Sequence, residues 1–296
     1  MNINSVTGLI GLYGHPVEHS LSPFFINFAL KRLELNFLYL AFDIESRFLK
    51  EAACSMRALG LKGVNVTIPH KRSVMEHLDN IHDDAAAVGA VNCIINRNGK
   101  LHGRNTDFLG FIEPLKNRNI LIKGTSACLV GCGGAARSVL YALVKEGVGR
   151  IYLMNRTEKN AKDFIEWSMK NLSFDNITYS GGPETASCSN LSGVQLLVNT
   201  IPLGMFPNVD ACPLPVDFSF SGVTTVYDLV YNPWKTELLK RAGNGGAQTI
   251  NGFEMLIIQG LYSLSYWFPD RKKEIFKMME TIIDYAAGIL KNFNNI

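Results

Sequence analysis

No stretch of this 296-residue chain approaches the roughly 20 consecutive apolar residues that a membrane-spanning helix requires, so no membrane partner is expected. Met1 to Gly14 lacks a basic start, an apolar run and a small-residue cleavage site. Those are the parts of a secretion signal, and a cytoplasmic setting is the expectation. Cysteine is sparse and unpatterned: Cys54, Cys93, Cys128, Cys132, Cys188 and Cys212 form no CxxC pair. A chain this long needs no disulfide staples, and reduced thiols serving as small apolar side chains are the simpler reading. The six histidines make no HExxH and no cluster with cysteine, which leaves no metal to expect. Charge of one sign is equally scarce. The formal net charge is +3, and the longest basic run is Arg271-Lys272-Lys273. Nucleic-acid binders gather lysine and arginine into a patch or stripe, so nucleic acid is not an expected partner and any bound anion should be small. Internal repeats with a period of roughly 20 to 50 residues and low-complexity segments are also missing.

What is present describes a globular α/β protein. Apolar residues make up 47% and charged residues 19%, an ordinary balance for a chain that buries a sizeable core, and the length suits two domains. Short apolar runs alternate with longer segments of helical period, which marks βα units. Strands are expected at Gly8–Tyr13 and Phe37–Phe42. Gly63–Thr67 alternates apolar and polar until Pro69 stops it. Ala90–Asn96 returns through an Asn98-Gly99 turn into Lys100–Gly103 as a hairpin, so this sheet is mixed. Leu21-Ser22-Pro23 begins a helix with Phe24, Phe28 and Leu30 on its apolar face. From Ser126 the texture changes. Ala127–Gly131, Arg150–Met154, Gln195–Asn199 and Thr224–Asp228 read as buried strands, the first followed by a helix to about Glu146. That repetition predicts a Rossmann-like, doubly wound domain over residues 108–248, with residues 1–107 and 249–296 forming the other. Two helices, Asn251–Phe268 and Lys272–Phe293, end the chain; the second places Ile275, Met279, Ile282 and Ile289 near one face.

Gly131-Cys-Gly133-Gly134-Ala135-Ala136 lies between an expected strand and an expected helix, the context a dinucleotide fingerprint needs. Gly131 permits the tight turn, Gly133 lets the backbone approach a pyrophosphate, and Ala136 allows close helix–strand packing. The helix N-terminus offers unpaired N–H groups and a positive dipole end to phosphates. Glycine turns also serve plain βα connections, so the next strand decides the cofactor. NAD sites place an acidic residue about 20 residues on, where it holds the ribose 2′-hydroxyl. Here Ile151–Met154 runs into Asn155-Arg156-Thr157 with no carboxylate before Glu158. A carboxylate would repel a 2′-phosphate, whereas Arg156 can pair with it bidentately and Thr157 can add a hydroxyl. NADP is the expected cofactor; a solvated arginine at a strand end is the plain alternative.

Seven blocks in order, from about Gly11 to Gly260, resemble the shikimate dehydrogenase family. They begin with Gly14-His-Pro-Val-Glu-His-Ser20-Leu-Ser22-Pro23 and Asn65-Val-Thr67-Ile-Pro-His-Lys71. Ala87-Val-Gly-Ala-Val-Asn92 and Gly103-Arg-Asn-Thr-Asp107-Phe-Leu-Gly110 follow. Asn199 to Met205, Tyr227-Asp-Leu-Val-Tyr231-Asn-Pro and Asn251-Gly-Phe-Glu-Met-Leu-Ile-Ile-Gln259-Gly260 complete the series. The resemblance implies an NADP-linked, reversible reduction of 3-dehydroshikimate to shikimate, within chorismate and aromatic amino-acid biosynthesis. It implies a mixed-sheet substrate domain and a Rossmann-like NADP domain with the active site in a cleft between them. Ser20, Ser22 and Tyr231 would donate to the substrate carboxylate, and Thr67, Asn92 and Gln259 would read the ring hydroxyls. Lys71 and Asp107 would carry proton transfer. Asn155, Leu229 and Gly252 join Gly131, Gly133, Gly134, Ala135, Ala136, Arg156 and Thr157 as implied cofactor contacts.

The chemistry suits these types. Taking hydride from a secondary alcohol requires the hydroxyl proton to leave, and a lysine can take and return it if burial or a neighbouring carboxylate adjusts its basicity. The plain alternatives are helix capping by Ser20 and Ser22, a surface lysine after Pro69, and an N-capping Asp107. Two departures stand out. Ile201 occupies a place where the family usually carries Thr or Ser, and Asn160 stands where some relatives have a basic residue. An NAD-linked quinate/shikimate dehydrogenase and a catalytically silent nucleotide-binding module are the alternative functions. Ser22, where quinate-preferring relatives often carry threonine, and Arg156 lean against the first; the paired Lys71 and Asp107 lean against the second. A small-molecule substrate is the expected partner, and monomer and homodimer are both open.

Overall fold

The structure, a computed structural model, describes residues 3–185 and 193–293, the side chains of 291–293 excepted. The chain divides into two compact units, Met1–Gly110 with Leu256–Ile296, and Phe111–Met255. In chain order the first stretch contains β1 (Gly8–Gly14), α1 (Ser22–Arg32), β2 (Phe37–Asp43), α2 (Leu49–Ala58), β3 (Gly63–Val66), β4 (Asn80–Ile81), α3 (Asp83–Val88), β5 (Cys93–Arg97), β6 (Lys100–Arg104) and α4 (Asp107–Asn117). There follow β7 (Ser126–Val130), α5 (Gly134–Lys145), β8 (Arg150–Met154), α6 (Glu158–Leu172), β9 (Ile177–Tyr179), β10 (Val194–Asn199), β11 (Thr225–Asp228), α7 (Glu237–Asn244) and β12 (Gln248–Asn251). The chain closes with α8 (Phe253–Trp267), α9 (Lys272–Lys277) and α10 (Met279–Phe293). Among the described residues no helix is long and apolar enough to cross a membrane.

The first sheet has the order β2-β1-β3-β5-β6-β4. β1 lies parallel to β2 and β3, while β3–β5 and β5–β6 are antiparallel. This is the mixed sheet the hairpin predicts. Its turn is Asn98-Gly99, with φ of 54° and 81°, the left-handed pair that a two-residue hairpin with right-handed strand twist demands. The strand starts at Cys93, not at Ala90. The backbone of Val91 and Asn92 is used otherwise: Val91 N–H donates to the Lys71 carbonyl at 2.7 Å and Asn92 N–H to the Arg104 carbonyl at 3.0 Å. α2 lays Leu49, Ala53 and Met56 against Val64, Val66 and Ile94 of the sheet. Trp267, at the end of α8, is buried and donates its indole N–H to the Ile94 carbonyl at 2.9 Å.

The second sheet, β12-β11-β10-β7-β8-β9, is parallel throughout. Parallel strands are covered on both faces and so read as continuous apolar runs; Ala127, Cys128, Leu129 and Val130 are all buried. Winding runs outward from β7 in both directions, and the reversal between β7 and β10 leaves a crevice at the strands' carboxyl ends, where such sheets bind ligands.

Three elements depart from expectation. Gln248–Asn251 is strand β12, so Asn251 ends a strand and the helix begins at Phe253. The single helix expected over Lys272–Phe293 is two, parted at Met278 (φ −93°, ψ 3°), whose N–H is shared between the carbonyls of Glu274 and Ile275 at 3.2 Å each. Leu21, not a serine, is the N-cap of α1, with no side-chain capping bond. The five described cysteines form no disulfide; Cys188 lies outside the described residues.

Candidate active site

Lys71 follows β3 by a short loop whose backbone is fixed at several points. Thr67 N–H donates to the Tyr13 carbonyl at 2.8 Å, His70 N–H to Thr67 at 2.9 Å, and the Lys71 carbonyl accepts Val91 as described. The fully buried His70 ring sits against the Ile44 carbonyl. A Cβ at Gly14 would come within 2.3 Å of the Thr67 methyl, so the bare glycine lets the start of the Ser20 loop lie on this segment.

Asp107 opens α4 but does not cap it. Asn105 Oδ1 accepts the Asp107 N–H at 3.1 Å, which leaves the carboxylate for other partners. Its Oδ2 accepts Lys71 Nζ at 2.7 Å and its Oδ1 accepts Asn92 Nδ2 at 2.7 Å. Their side chains are 29% (Lys71) and 10% (Asp107) exposed, so the pair is sheltered yet reachable. Ion pairs fully in solvent are screened and contribute little; this one is braced. Asn92 is itself held by Thr106, whose N–H reaches Asn92 Oδ1 at 2.6 Å, and its amide lies 3.3 Å from Gln259 Oε1. Gln259 Nε2 donates to the Leu256 carbonyl at 2.8 Å.

Under this cluster runs a buried polar layer. Tyr39 Oη donates to Asn65 Oδ1 at 3.0 Å, and Asn65 Nδ2 donates to Ser263 Oγ at 2.7 Å and to the Asn92 carbonyl at 3.1 Å. Burial pushes the Tyr39 phenol up, so it stays a neutral donor. Polar groups this deep are costly unless paired, and here each pairing also fixes a segment that carries a candidate side chain. Ser20 and Ser22 lie at the start of α1. The Ser22 N–H reaches Ser20 Oγ at 3.3 Å, and the expected alternative of helix capping by Ser22 is not realised.

In the other unit, Gly131 has φ of +100°, and a Cβ there would meet Ile201 Cγ2 at 2.5 Å and Thr200 Oγ1 at 2.7 Å. Turn geometry and close approach both require glycine. Gly133 and Gly134 differ: a Cβ on either would meet no atom within 4 Å. Their bare backbone therefore faces open space at the start of α5, whose N-cap, Gly133, makes no side-chain bond and whose first turn holds no acid. Ala135 and Ala136 follow in that turn, Ala136 fully buried. Unclaimed N–H groups at a helix start suit an anion, so this backbone fits a pyrophosphate. Ile201 fills the space beside Gly131, and the neighbouring Thr200 hydroxyl is spent on the Val130 carbonyl at 2.7 Å.

Asn155 is fixed through its N–H to the Gly181 carbonyl and its Nδ2 to the Thr157 carbonyl. Arg156 is exposed beside it, and Thr157 is the N-cap of α6 without a side-chain capping bond. Glu158, the nearest carboxylate in sequence, pairs with Lys162 at 2.9 Å. A cavity of about 1360 Å³ is lined by Gly131, Asn155, Arg156, Thr157 and Asn160. At the ends of β10 and β11, Asn199 Nδ2 donates to Asp228 Oδ1 at 2.9 Å, and Asp228 also accepts from Val230 N–H and the Thr236 hydroxyl, the latter at 2.6 Å. Burial pushes the Asp228 carboxyl up to about 6, against the pull of these donors. Leu229 and Gly252 abut: a Cβ on Gly252 would come within 1.9 Å of the Leu229 carbonyl oxygen. Tyr231 follows in the same loop, its phenol raised by burial. Among the described residues no group of three His, Cys, Asp or Glu side chains could hold a metal ion.

Hydrogen bonds thus gather Lys71, Asp107, Asn92 and Gln259, with Thr67 on the Lys71 loop; no direct bond ties Ser20 or Ser22 to that cluster among the described residues. Sequence reasoning missed Asn65, Thr106 and Ser263. The first two lie inside the quoted motifs, and Ser263 is one helical turn beyond Gln259, so their positions were available as signals.

Comparison with known proteins points to one family. The sequence model of the family described as the shikimate dehydrogenase substrate binding domain matches residues 12–94. A shikimate dehydrogenase (NADP(+)) of Caldanaerobacter subterraneus subsp. tengcongensis is 39% identical over 267 residues, 90% of this chain and 94% of that protein. A crystal structure of a shikimate dehydrogenase in complex with NADP+ superposes with a TM-score of 0.88 at 36% identity, covering 98% of each chain. That of shikimate 5-dehydrogenase from Thermus thermophilus, in complex with NADP(H) and shikimate, has a TM-score of 0.77 at 33% identity, covering 92% of this chain and 99% of that one.

Proposed function

This chain belongs to the shikimate dehydrogenase family, and we infer that it interconverts shikimate and 3-dehydroshikimate with NADP as the hydride partner. The observation that carries this reading is the Lys71–Asp107 contact at 2.7 Å, braced by Asn92 on the other carboxylate oxygen. A pure nucleotide-binding module has no use for such a pair. The names of the relatives supply the substrate and the cofactor.

Bound NADP would supply the hydride chemistry, with Gly131–Ala136 on the pyrophosphate, Arg156 and Thr157 on the 2′-phosphate, and Asn155, Leu229 and Gly252 beside them. Everything else falls to this chain's side chains. As the carbinol carbon gives up hydride to the bound nucleotide, Lys71 Nζ, acting as the neutral amine, takes the hydroxyl proton and the C–O single bond becomes a carbonyl. In the reverse direction Lys71 returns that proton to the oxygen, which is general acid–base catalysis by one group. Asp107 keeps the amine aimed and pairs with the ammonium it becomes, and Asn92 keeps Asp107 from turning. Ser20, Ser22 and Tyr231 offer neutral donors to the carboxylate, and Thr67, Asn92 and Gln259 read the ring hydroxyls. The reading extends to a cytoplasmic protein, monomeric or homodimeric, serving chorismate and aromatic amino-acid biosynthesis.

Initial rates with shikimate or quinate, and NADP or NAD, test the assignment; shikimate with NADP should be fastest. Lys71→Ala should lower turnover by about 10²- to 10⁴-fold while the shikimate Kd changes little. A variant that keeps more than about a tenth of wild-type turnover removes Lys71 from the role.

A further inference from the structure

Arg241, on α7, is half-buried and tied to a neighbouring loop. Its Nη1 donates to the Leu214 carbonyl at 3.0 Å and to Cys212 Sγ at 3.1 Å; its Nη2 donates to the Pro215 carbonyl and to Val216 at 3.2 Å. All four partners, and Arg241 with them, line the cavity that Arg156 and Gly131 also line. The loop has apolar anchors at both ends, Leu214 (3% exposed) and Phe218 (7%), while Val216 between them is 95% exposed. Pro213 and Pro215 have no N–H to donate, and the turn is closed locally by Phe218 N–H to the Pro215 carbonyl. Among the described residues, its hydrogen-bonded tie to the rest of the fold between those anchors is the Arg241 guanidinium. α7 in turn is fixed at its first turn, where Thr236 caps Leu239 N–H and donates to Asp228.

We propose that Arg241 is a positioning residue for the cofactor: it holds Leu214–Val216 as a wall of the nucleotide pocket without itself touching a reacting atom. This rests on the reading that the pocket takes the adenosine phosphate end of NADP. A guanidinium is suited to the task because its planar fork reaches several carbonyls at once, which an ammonium cannot do. Without it the turn must be ordered at the moment of binding, and that ordering is subtracted from affinity. Turnover at saturating cofactor is untouched, since proton transfer uses other residues.

The test uses full-length protein with Arg241→Gln, Arg241→Lys and Val216→Gly, read by titration with NADPH and with 2′,5′-ADP and by steady-state kinetics. Arg241→Gln should weaken both nucleotides about tenfold, equivalent to immobilising one or two side chains or turn residues. Its kcat at saturating NADP and its KM for shikimate should stay within about twofold, a split that general loss of folded protein does not produce. Arg241→Lys keeps the charge but not the fork and should fall between; full rescue by lysine would assign the effect to charge and overturn the proposal. Val216→Gly loosens the same exposed turn without touching α7 and should also weaken both nucleotides. If Arg241→Gln does not fold, unchanged nucleotide affinity in Val216→Gly overturns it. Wild-type affinity retained by all three variants overturns the positioning role alone. A wild-type chain that binds neither nucleotide overturns it together with the cofactor reading; one that binds 2′,5′-ADP but does not turn over shikimate sinks only the reading of the reaction.

Discussion

In the proposed reading, Arg156 sets the choice between NADP and NAD through one guanidinium. It is exposed at the end of β8, and the nearest carboxylate in sequence is already paired with Lys162. Arg156→Ala should raise the KM for NADP by about 10- to 100-fold, the size of a lost charge-assisted bidentate contact, and leave the KM for NAD nearly unchanged in initial-rate measurements. Equal losses for both nucleotides would count against Arg156 as the phosphate partner. Asp228 makes a different demand. Its carboxyl is raised from 3.8 to about 6 in the folded chain, so between those values the folded state holds a proton the unfolded state has lost. Its contribution to stability is therefore fullest below about pH 4 and declines as pH rises to about 6, by on the order of 3 kcal/mol. Asp228→Asn cannot titrate. Urea unfolding from about pH 4 to about pH 7 should show the variant gaining on wild type as pH rises; a gap that stays constant removes Asp228 from the pH dependence.

The start of α7 joins this carboxylate to the helix that carries Arg241. Thr236→Ala deletes the cap on Leu239 N–H and the donor to Asp228 together, so it should cost about 1–2 kcal/mol, the upper part of the range for a lost N-cap, in denaturant unfolding. A cost below about 0.5 kcal/mol would show the cap to be replaceable by water. Elements with a strong local signal were legible before any coordinates. The β7 run, its glycine turn and α5 each carry one, and so does the Asn98-Gly99 hairpin, since only that backbone suits those residues. β4 and β9, of two and three residues, are too short to show a period of two. β12 hid because its polar Gln248, Thr249 and Asn251 gain their place from pairing with β11 and not from an apolar pattern. Nothing marks the break at Met278, which has neither proline nor glycine beside it. Asp107 shows the same limit in the candidate site: its residue type and position fit a helix cap, and only the tertiary approach of Asn92 and Lys71 shows that its carboxylate is used elsewhere.

The whole chain's topology was easier to read than its fine joints, because alternating strands and helices admit few right-handed parallel arrangements. One mixed and one parallel sheet in separate compact units give ligand binding a global signature. NADPH at about 100 times its Kd should add about 2.7 kcal/mol to the stability of the state that binds it. Hydrogen exchange should show that gain as slower exchange at the amides of Gly133–Ala136 and Val216; protection spread evenly over both sheets would argue against a nucleotide site at the β7 turn.

The side chains bordering the Arg156 cavity all come from Phe111–Met255. If that cavity takes the nucleotide's phosphate end, as proposed, its capture needs no help from a sugar-like acid arriving first. The affinity for 2′,5′-ADP should be indifferent to whether shikimate is in the tube, and a kinetic scheme in which the coenzyme always waits for its co-reactant has no support in how this cavity is built.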